Sequence, residues 1–307
     1  MPTADCYLGL DIGGTKTAAV VGDASPGILA RREWASNAQR GPQALLVELL
    51  VQARELIGEW RPKAVGISIG GPMDAARGIV LGPPNLPGWD HVPLKAILER
   101  ELGLPARVEH DAAACALAEY HWGAGRGAAR LIYLTCGTGF GAGFVFDGKV
   151  YRGAGGLNVE LGHMRLAPDG PTAFDKRGSA EAFCAGQALG RIAAWRYPQR
   201  WAEQPPTSPQ VAALAAGGDA EAREVIRLNA THVGAVCAIL GDMLRPDVIV
   251  LGSLAQYLGP AWLQEVQAAF QAEALPASTQ ICRIAPAGLG KQLQDLSALV
   301  VALTQAE

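Results

Sequence analysis

The stretch Asp11-Ile12-Gly13-Gly14-Thr15-Lys16-Thr17 lies between two short apolar runs near the start of the chain. A related stretch, Cys136-Gly137-Thr138-Gly139-Phe140-Gly141-Ala142-Gly143, follows the apolar run 131–134 near the middle. Glycine-rich turns between strands expose backbone N–H groups and form concavities that bind anions. The two stretches therefore predict two β-hairpins whose turns hold the phosphates of one nucleotide. An aspartate precedes only the first of them.

Composition limits the classes of protein to be considered. The chain has 307 residues, half of them apolar, which is enough for about two domains. Its formal net charge of −3 does not favour nucleic acid or an anionic membrane as a partner. We find no secretory leader and no uncharged apolar run of about 18 residues, so we expect a cytoplasmic protein without membrane spans. The six cysteines are isolated in sequence and are expected to be small core residues.

The order of predicted elements occurs twice. The first half reads as strands over 7–10, 17–22 and 28–34, a helix over 42–60 and a buried strand over 64–69. The second half reads as strands over 131–135, 141–146, 149–151 and 248–251, with helices over about 180–195, 220–244 and 289–303. This repetition predicts an α/β protein with two similar domains around a central cleft. The smaller domain covers 1–115 and is joined by a C-terminal helix over about 290–307, and the larger covers 116–289.

Glu109-His110-Asp111 ends one predicted strand, and a strong helical pattern follows it. Asp111 is interpreted in two ways. An aspartate at this place is a common helix N-cap. A carboxylate here can also take the proton from a hydroxyl that attacks a phosphoryl group.

Three further segments carry polar side chains near glycine or proline. Glu160-Leu161-Gly162-His163 suits paired sugar hydroxyls, and the alternative is a structural histidine beside a surface glutamate. Glu181 lies in the first turn of a predicted helix, where a carboxylate usually interacts favourably with the helix dipole. The rigid loop 83–89, which contains Asn85 and Trp89, is either a packed surface turn or a loop that contacts sugar.

Taken together, these motifs resemble the ROK family of bacterial sugar kinases, which includes glucokinases and N-acetylhexosamine kinases. The resemblance covers nearly the whole chain and adds Gly66-Ile67-Ser68-Ile69-Gly70-Gly71-Pro72 and Val250-Leu251-Gly252 to the motifs above. It implies an actin-like, ribonuclease-H-like ATPase fold that uses ATP and Mg²⁺. It also implies a small-molecule sugar substrate and a homodimer.

The resemblance assigns roles to individual residues. Asp111 would be the catalytic base, and Asp11 would reach Mg²⁺ directly or through water. The nucleotide and its phosphates would be bound by Asp11, Gly13, Gly14, Thr15, Lys16, Gly137, Thr138, Gly139 and Gly252. The sugar would be bound by Gly71, Asn85, His110, Glu160, His163 and Glu181.

The chain departs from the family pattern in three places. His110 stands where the family usually has asparagine, and Ala113 replaces a second asparagine. Thr172, Phe174 and Ser179 occupy the three positions of the cysteines of a zinc motif, so of four ligands only His163 remains. We therefore expect no zinc site, with Phe174 contributing apolar packing instead.

The leading hypothesis is ATP-dependent phosphorylation of a hexose hydroxyl, as in a glucokinase. The alternatives are an N-acetylhexosamine kinase and a catalytically weak or inactive sugar sensor on the same fold. A DNA-binding regulator would need an N-terminal domain, for which a first hairpin at about Tyr7 leaves no room. An actin-like or chaperone ATPase would have no use for the segment Glu160-Leu161-Gly162-His163.

Overall fold

The structure, a computed structural model, describes residues 5–304. Its strands are β1 Tyr7–Ile12, β2 Lys16–Gly22, β3 Ile28–Ala35, β4 Val65–Ile69, β5 Met73–Asp74, β6 Ile79–Val80, β7 Ala106–His110, β8 Arg130–Leu134, β9 Ala142–Phe146, β10 Lys149–Val150, β11 Thr172–Ala173, β12 Lys176–Arg177, β13 Val248–Leu251 and β14 Arg283–Pro286. Its α-helices are α1 Gly41–Trp60, α2 Leu94–Leu102, α3 Asp111–His121, α4 Ala180–Cys184, α5 Ala188–Arg196, α6 Pro198–Trp201, α7 Ser208–Ala216, α8 Ala220–Leu244, α9 Ser253–Glu273, α10 Pro276–Thr279 and α11 Leu293–Leu303.

The described chain forms two compact units. The first unit comprises 5–126, 148–158 and 289–304, and the second comprises Gly127–Asp147 and Val159–Gly288. The boundary suggested by sequence at 115/116 falls inside α3. Residues 1–4 of the predicted first domain and the last three residues of the predicted C-terminal helix lie outside the described residues.

The first unit is built on a sheet with strand order β3-β2-β1-β4-β7. The predicted hairpin is present, because β1 and β2 pair antiparallel on either side of the glycine turn. Strands β1, β4 and β7 run parallel, with Asp11 opposite Ser68 and Ser68 opposite Glu109. The carboxyl ends of these three strands therefore meet at one edge of the sheet.

The two faces of this sheet are covered in different ways. Leu8 and Leu10 share a buried core with the apolar side of α1, including Leu45 and Leu49. The C-terminal helix α11 packs on β1 and β4. It comes so close that a methyl group on Gly66 of β4 would overlap backbone atoms of the helix.

The second unit repeats the arrangement of strands. Its sheet contains the order β9-β8-β13-β14, with β8 and β9 antiparallel around the second glycine loop. Strands β8, β13 and β14 are parallel. The long helix α8 packs against α4, α5, α7 and α9, and its apolar side enters the core of this unit.

Two predicted helices differ from those observed. The helix predicted over 180–195 is broken, because the N–H of Gly186 donates to the carbonyl oxygen of Gly137 at 2.6 Å. The helix predicted over 289–303 begins with a 3-10 turn over Gly290–Gln292 and becomes an α-helix at Leu293. Within residues 5–304, every helix is too short or too polar to cross a membrane.

Candidate active site

In the first unit, the predicted residues collect at the carboxyl ends of β1, β4 and β7. Asp11 lies near the end of β1, the stretch Ser68–Gly71 lies at the end of β4, and His110 and Asp111 lie at the end of β7. Ile12, Ile69 and His110 are aligned across the three strands. Parallel pairing thus places segments that are about 100 residues apart in sequence beside one another.

Asp11 is in an unfavourable place for a negative charge. Burial raises the pKa of its carboxyl to about 7, and the negative charges of Asp111 and Asp295 act in the same direction. The neighbouring Ser68 hydroxyl and the Arg31 guanidinium lower the pKa and offset only part of this increase. The surroundings of Asp11 therefore favour either a bound proton or a bound cation.

Asp111 is the first residue of α3, and His110 is the N-cap. The carboxylate oxygen Oδ1 accepts the N–H of Ala112 at 2.6 Å, while Oδ2 is turned toward Gly70. The Asp111 side chain is 46 % exposed. It is therefore accessible to a substrate, and one of its two oxygens is held by the backbone.

His110 has a role at the helix terminus. Its Nδ1 accepts the N–H of Ala112 at 3.3 Å and lies 3.3 Å from Oδ1 of Asp111. When Nδ1 accepts this bond, the neutral ring carries its proton on Nε2 and has a single donor. That side of the ring packs against Gly71, where a methyl group would lie 2.9 Å from Nε2.

The first glycine turn packs against the rigid loop 83–89. A methyl group on Gly14 would lie 2.5 Å from the carbonyl oxygen of Asn85, so only glycine fits. Asn85 itself is exposed. Trp89 is fully buried in the core of the first unit, so any contact of the loop 83–89 with sugar would have to come from its other residues.

The turn is fixed by backbone bonds. The N–H of Gly13 donates to the carbonyl oxygen of Lys16 at 3.0 Å, and the Ser36 hydroxyl donates to the carbonyl oxygen of Gly13 at 2.5 Å. Thr15 is exposed at the tip. The ammonium of Lys16 pairs with Glu33 on β3 at 2.8 Å, which holds it on the neighbouring strands.

In the second unit, the second glycine loop lies between two helix starts. The carbonyl oxygen of Gly137 accepts the N–H of Gly186, and Gly137 also lies close to the Ser253 hydroxyl. Carbonyl oxygens of Thr135 and Cys136 accept the N–H groups of Ser253 and Leu254, the first residues of α9. Thr138 is exposed at the tip of the loop.

Gly252 permits the start of α9 to lie close to the second glycine loop. Any side chain there would overlap the Thr135 carbonyl and the Tyr133 hydroxyl. Gly252 thus lies beside the second glycine loop, and its immediate effect is to let α9 begin against the end of β8.

Glu181 contacts the end of the same loop. Its Oε2 accepts the N–H of Phe140 at 2.5 Å, and Oε1 lies 4.0 Å from the Arg191 guanidinium. Burial raises the pKa of Glu181, while the Phe140 N–H and the charges of Arg191 and His163 lower it. Gly162 packs against both Phe140 and Glu181, so the segment 160–163 and the loop are in contact.

Glu160 and His163 are exposed around a 3-10 turn over Leu161–His163. Phe174 lies with its ring centroid 5.9 Å from that of His163. However, Phe174 is 59 % exposed, so the apolar packing expected of it is limited to this surface contact. Thr172 is also exposed, and Ser179 is the N-cap of α4. Among residues 5–304, no group of three or more His, Cys, Asp or Glu side chains is arranged to hold a metal.

Three residues that contact the predicted site residues were not predicted from the sequence. Ser68 stands beside Asp11, and a serine inside an apolar strand was the available signal. Arg191 approaches Glu181 from α5, and Arg152 pairs with Glu109. No pattern in the sequence distinguishes these two arginines from those on the surface.

Each unit thus carries a glycine loop with exposed threonine at its tip and one or more carboxylates next to it. The cluster in the first unit combines a carboxyl of raised pKa with a second, accessible carboxylate, which fits a cation that accompanies phosphate. The loop in the second unit is open above Gly137, where an added methyl group would meet little besides the Ser253 hydroxyl. Both features suit a phosphate-bearing ligand.

Comparisons with known proteins agree with this chemistry. The chain is 31 % identical to a glucokinase of Halalkalibacterium halodurans over 287 residues, covering 88 % of this chain and 86 % of that protein. It is 33 % identical to an N-acetylmannosamine kinase of Salmonella heidelberg over 270 residues, covering 88 % and 89 %. A ROK family glucokinase of Streptomyces griseus, solved in complex with glucose and AMPPNP, superposes with a TM-score of 0.81 at 30 % identity, covering 97 % and 99 %.

These similarities confirm the predicted α/β fold of the actin-like, ribonuclease-H-like class. The model of the ROK family matches residues 7–304. With that match over nearly the whole chain, this protein belongs to the ROK family.

Proposed function

We propose that the protein is an ATP-dependent sugar kinase that transfers a phosphoryl group to a hexose hydroxyl. The observation that carries this proposal is Asp111, an accessible carboxylate at the end of β7 close to the raised-pKa carboxyl of Asp11. The glucokinase of Streptomyces griseus, with its bound glucose and AMPPNP, supports both the sugar and the nucleotide.

Asp111 acts as the general base. Its Oδ1 is held by the Ala112 N–H, so Oδ2 is the oxygen available to take the proton of the attacking hydroxyl. Asp11 would hold the Mg²⁺ that accompanies ATP, directly or through water, and that ion would supply positive charge against the transferred phosphoryl group.

Binding of the substrates is shared among the predicted residues. Gly13, Gly14, Thr15, Gly137, Thr138 and Gly139 bind phosphates through N–H groups and hydroxyls. Lys16 contributes positive charge, and Gly252 lies beside the base. Asn85, His110, Glu160, His163 and Glu181 bind ring hydroxyls, and Gly71 leaves room for the His110 ring.

A second candidate is an N-acetylhexosamine kinase. The Salmonella heidelberg N-acetylmannosamine kinase is at least as similar in sequence as the glucokinase relative, so similarity alone does not select the sugar. His110, with one donor and limited reach, is among the residues that would decide between a hydroxyl and a bulky acetamido group. A sensor with little turnover would keep binding and lose only catalysis. A homodimer and a cytoplasmic location stay predictions from sequence.

The test is ATP- and Mg²⁺-dependent release of ADP, measured with a panel of hexoses and N-acetylhexosamines. Asp111→Asn should reduce kcat by about 10²–10⁴, the usual contribution of a general base, with a smaller change in sugar affinity. Asp90→Asn is the matched control, because Asp90 is an exposed aspartate that also contacts a neighbouring histidine, His91. Turnover of one sugar that is lost only in Asp111→Asn supports the proposal. Near-normal turnover in that variant would refute the base, and sugar binding without turnover by the wild type would favour the sensor.

A further inference from the structure

A buried acid lies immediately before the proposed catalytic residues and has no role in the reaction described above. Glu109 is the penultimate residue of β7 and is only 5 % exposed. Its Oε1 accepts the backbone N–H of His110 at 3.0 Å. The carboxylate thus contacts the peptide that leads into Asp111.

The other oxygen of Glu109 pairs with the guanidinium of Arg152. Arg152 is about 70 % buried and belongs to 148–158, a short segment that is part of the first unit although the chain on both sides of it belongs to the second. Its Nε is buried and has no hydrogen-bond partner among residues 5–304. Glu109 is therefore the main charged contact that fixes this side chain.

We propose that Glu109 and Arg152 are positioning residues for the kinase reaction. Their ion pair fastens the segment 148–158 to the strand end that presents His110 and Asp111. One carboxylate thereby contacts both the peptide before the proposed base and a guanidinium from a separate segment of the same unit. This inference rests on the proposed function for its effect on catalysis, and on geometry alone for the anchoring.

Breaking a buried ion pair destabilises the structure around it. When one partner is removed, the remaining buried charge is uncompensated, and the local structure shifts to expose it to water. Positional errors of about 1 Å in catalytic groups can reduce turnover about 100-fold. Loosening of this anchor should thus reduce turnover even though the proposed base, Asp111, is itself unchanged.

The variants are Glu109→Gln, Arg152→Met, Arg152→Lys and the double variant Glu109→Gln/Arg152→Met. Glutamine keeps an oxygen for the His110 N–H and removes only the charge, so this variant is the one expected to fold normally. Arg54 and Glu101 are the matched control, because they form an exposed ion pair at 2.8 Å in the same unit. Arg54→Met and Glu101→Gln should leave every measurement unchanged.

Two measurements are made on each full-length variant. Hydrogen exchange of peptides that cover 148–158, which needs no substrate, should become at least about tenfold faster in Arg152→Met while α8 is unaffected. The kcat with the preferred sugar should fall about 10- to 100-fold in Glu109→Gln and Arg152→Met. Arg152→Lys should recover part of it, and the double variant should be no worse than Arg152→Met, because both changes remove one interaction.

Unchanged exchange in 148–158 would overturn the anchoring. Faster exchange with unchanged kcat would overturn the positioning role, and strictly additive losses in the double variant would show that the two residues act separately. A wild-type protein that turns over no sugar refutes the proposed function and with it the effect on catalysis. The exchange comparison would still decide whether the ion pair holds the segment.

Discussion

At the scale of single residues, Asp11 carries the charge that the fold tolerates least. Its pKa is raised from 3.8 to about 7, mainly by burial. Between these two values the folded protein binds more protons than the unfolded chain, so the free energy of unfolding falls as pH rises from about 4 to 7. Asp11→Asn removes this loss. Because the side chain keeps some exposure, we expect the variant to gain about 1–2 kcal/mol at pH 8 and much less at pH 5.

The measurement is urea denaturation of the wild type and Asp11→Asn at both pH values without nucleotide or Mg²⁺. Asp90→Asn is again the control, because Asp90 is largely exposed and should show no such difference. If the wild type and Asp11→Asn lose stability equally between pH 5 and pH 8, then Asp11 does not ionise in this interval and its assigned pKa is wrong.

Residue-level prediction from sequence succeeded where the chemistry is local. Asp11 follows the apolar run 7–10 shortly before the glycine turn, and Asp111 ends a predicted strand just before a strong helical pattern, so their places at strand ends could be predicted. The pairing of Glu109 with Arg152 could not, because ion pairs between distant segments leave no periodic trace in a single sequence. The exposure of Phe174 was missed for a related reason. Phe174 lies in the tight turn between β11 and β12 with a positive φ of 47°, a turn that was not predicted from the sequence.

At the scale of elements, the contact between β4 and α11 depends on Gly66. An added methyl group would overlap the carbonyl oxygen of Ala298 and the N–H of Ala302, and backbone atoms within a packed helix cannot move aside. Gly66→Ala should therefore destabilise the protein by about 1–3 kcal/mol or more, as is typical of overpacking. Gly58→Ala in α1 is the matched control, because that position has open space around it. It should be neutral or stabilising by up to about 1 kcal/mol through helix propensity.

Urea denaturation of both variants tests the pair. A Gly66→Ala protein as stable as the wild type would mean that α11 can separate from β4 at little cost.

Helices with a regular apolar pattern could be predicted from sequence, but a break within a helix could not. The helix over 220–244 was predictable from its apolar periodicity and ends at Leu244 as expected. The break at Gly186 was not, because it depends on a bond to Gly137 almost 50 residues away.

At the scale of the whole molecule, the repeated order of elements was enough to predict two α/β units. Each unit indeed has a glycine-turn hairpin beside parallel strands. The passage of 148–158 back into the first unit was not predictable, because a short segment without strong periodicity gives no indication of the core it joins. The first unit is consequently built from three separate stretches of the chain.

Because the C-terminal helix α11 packs on β1 and β4, the fold of the first unit depends on the end of the chain. Five large apolar side chains of α11 are buried: Leu293, Leu296, Leu299, Val300 and Val301. Burial of each such side chain contributes about 1.5–3 kcal/mol, so their sum is comparable to the free energy of unfolding of a whole domain. A chain that ends at Gly288 should therefore lose hydrogen-exchange protection in β1 and β4, while β8 and β13 keep theirs because the core of the second unit contains no residue of α11. A chain that ends at Thr304 is the control and should behave as the intact protein does. Retained protection of β1 and β4 without α11 would show that the first unit is complete without its last segment. Equal loss in both units would show that they unfold together, because removal of α11 would then have destabilised a core to which it contributes no side chain.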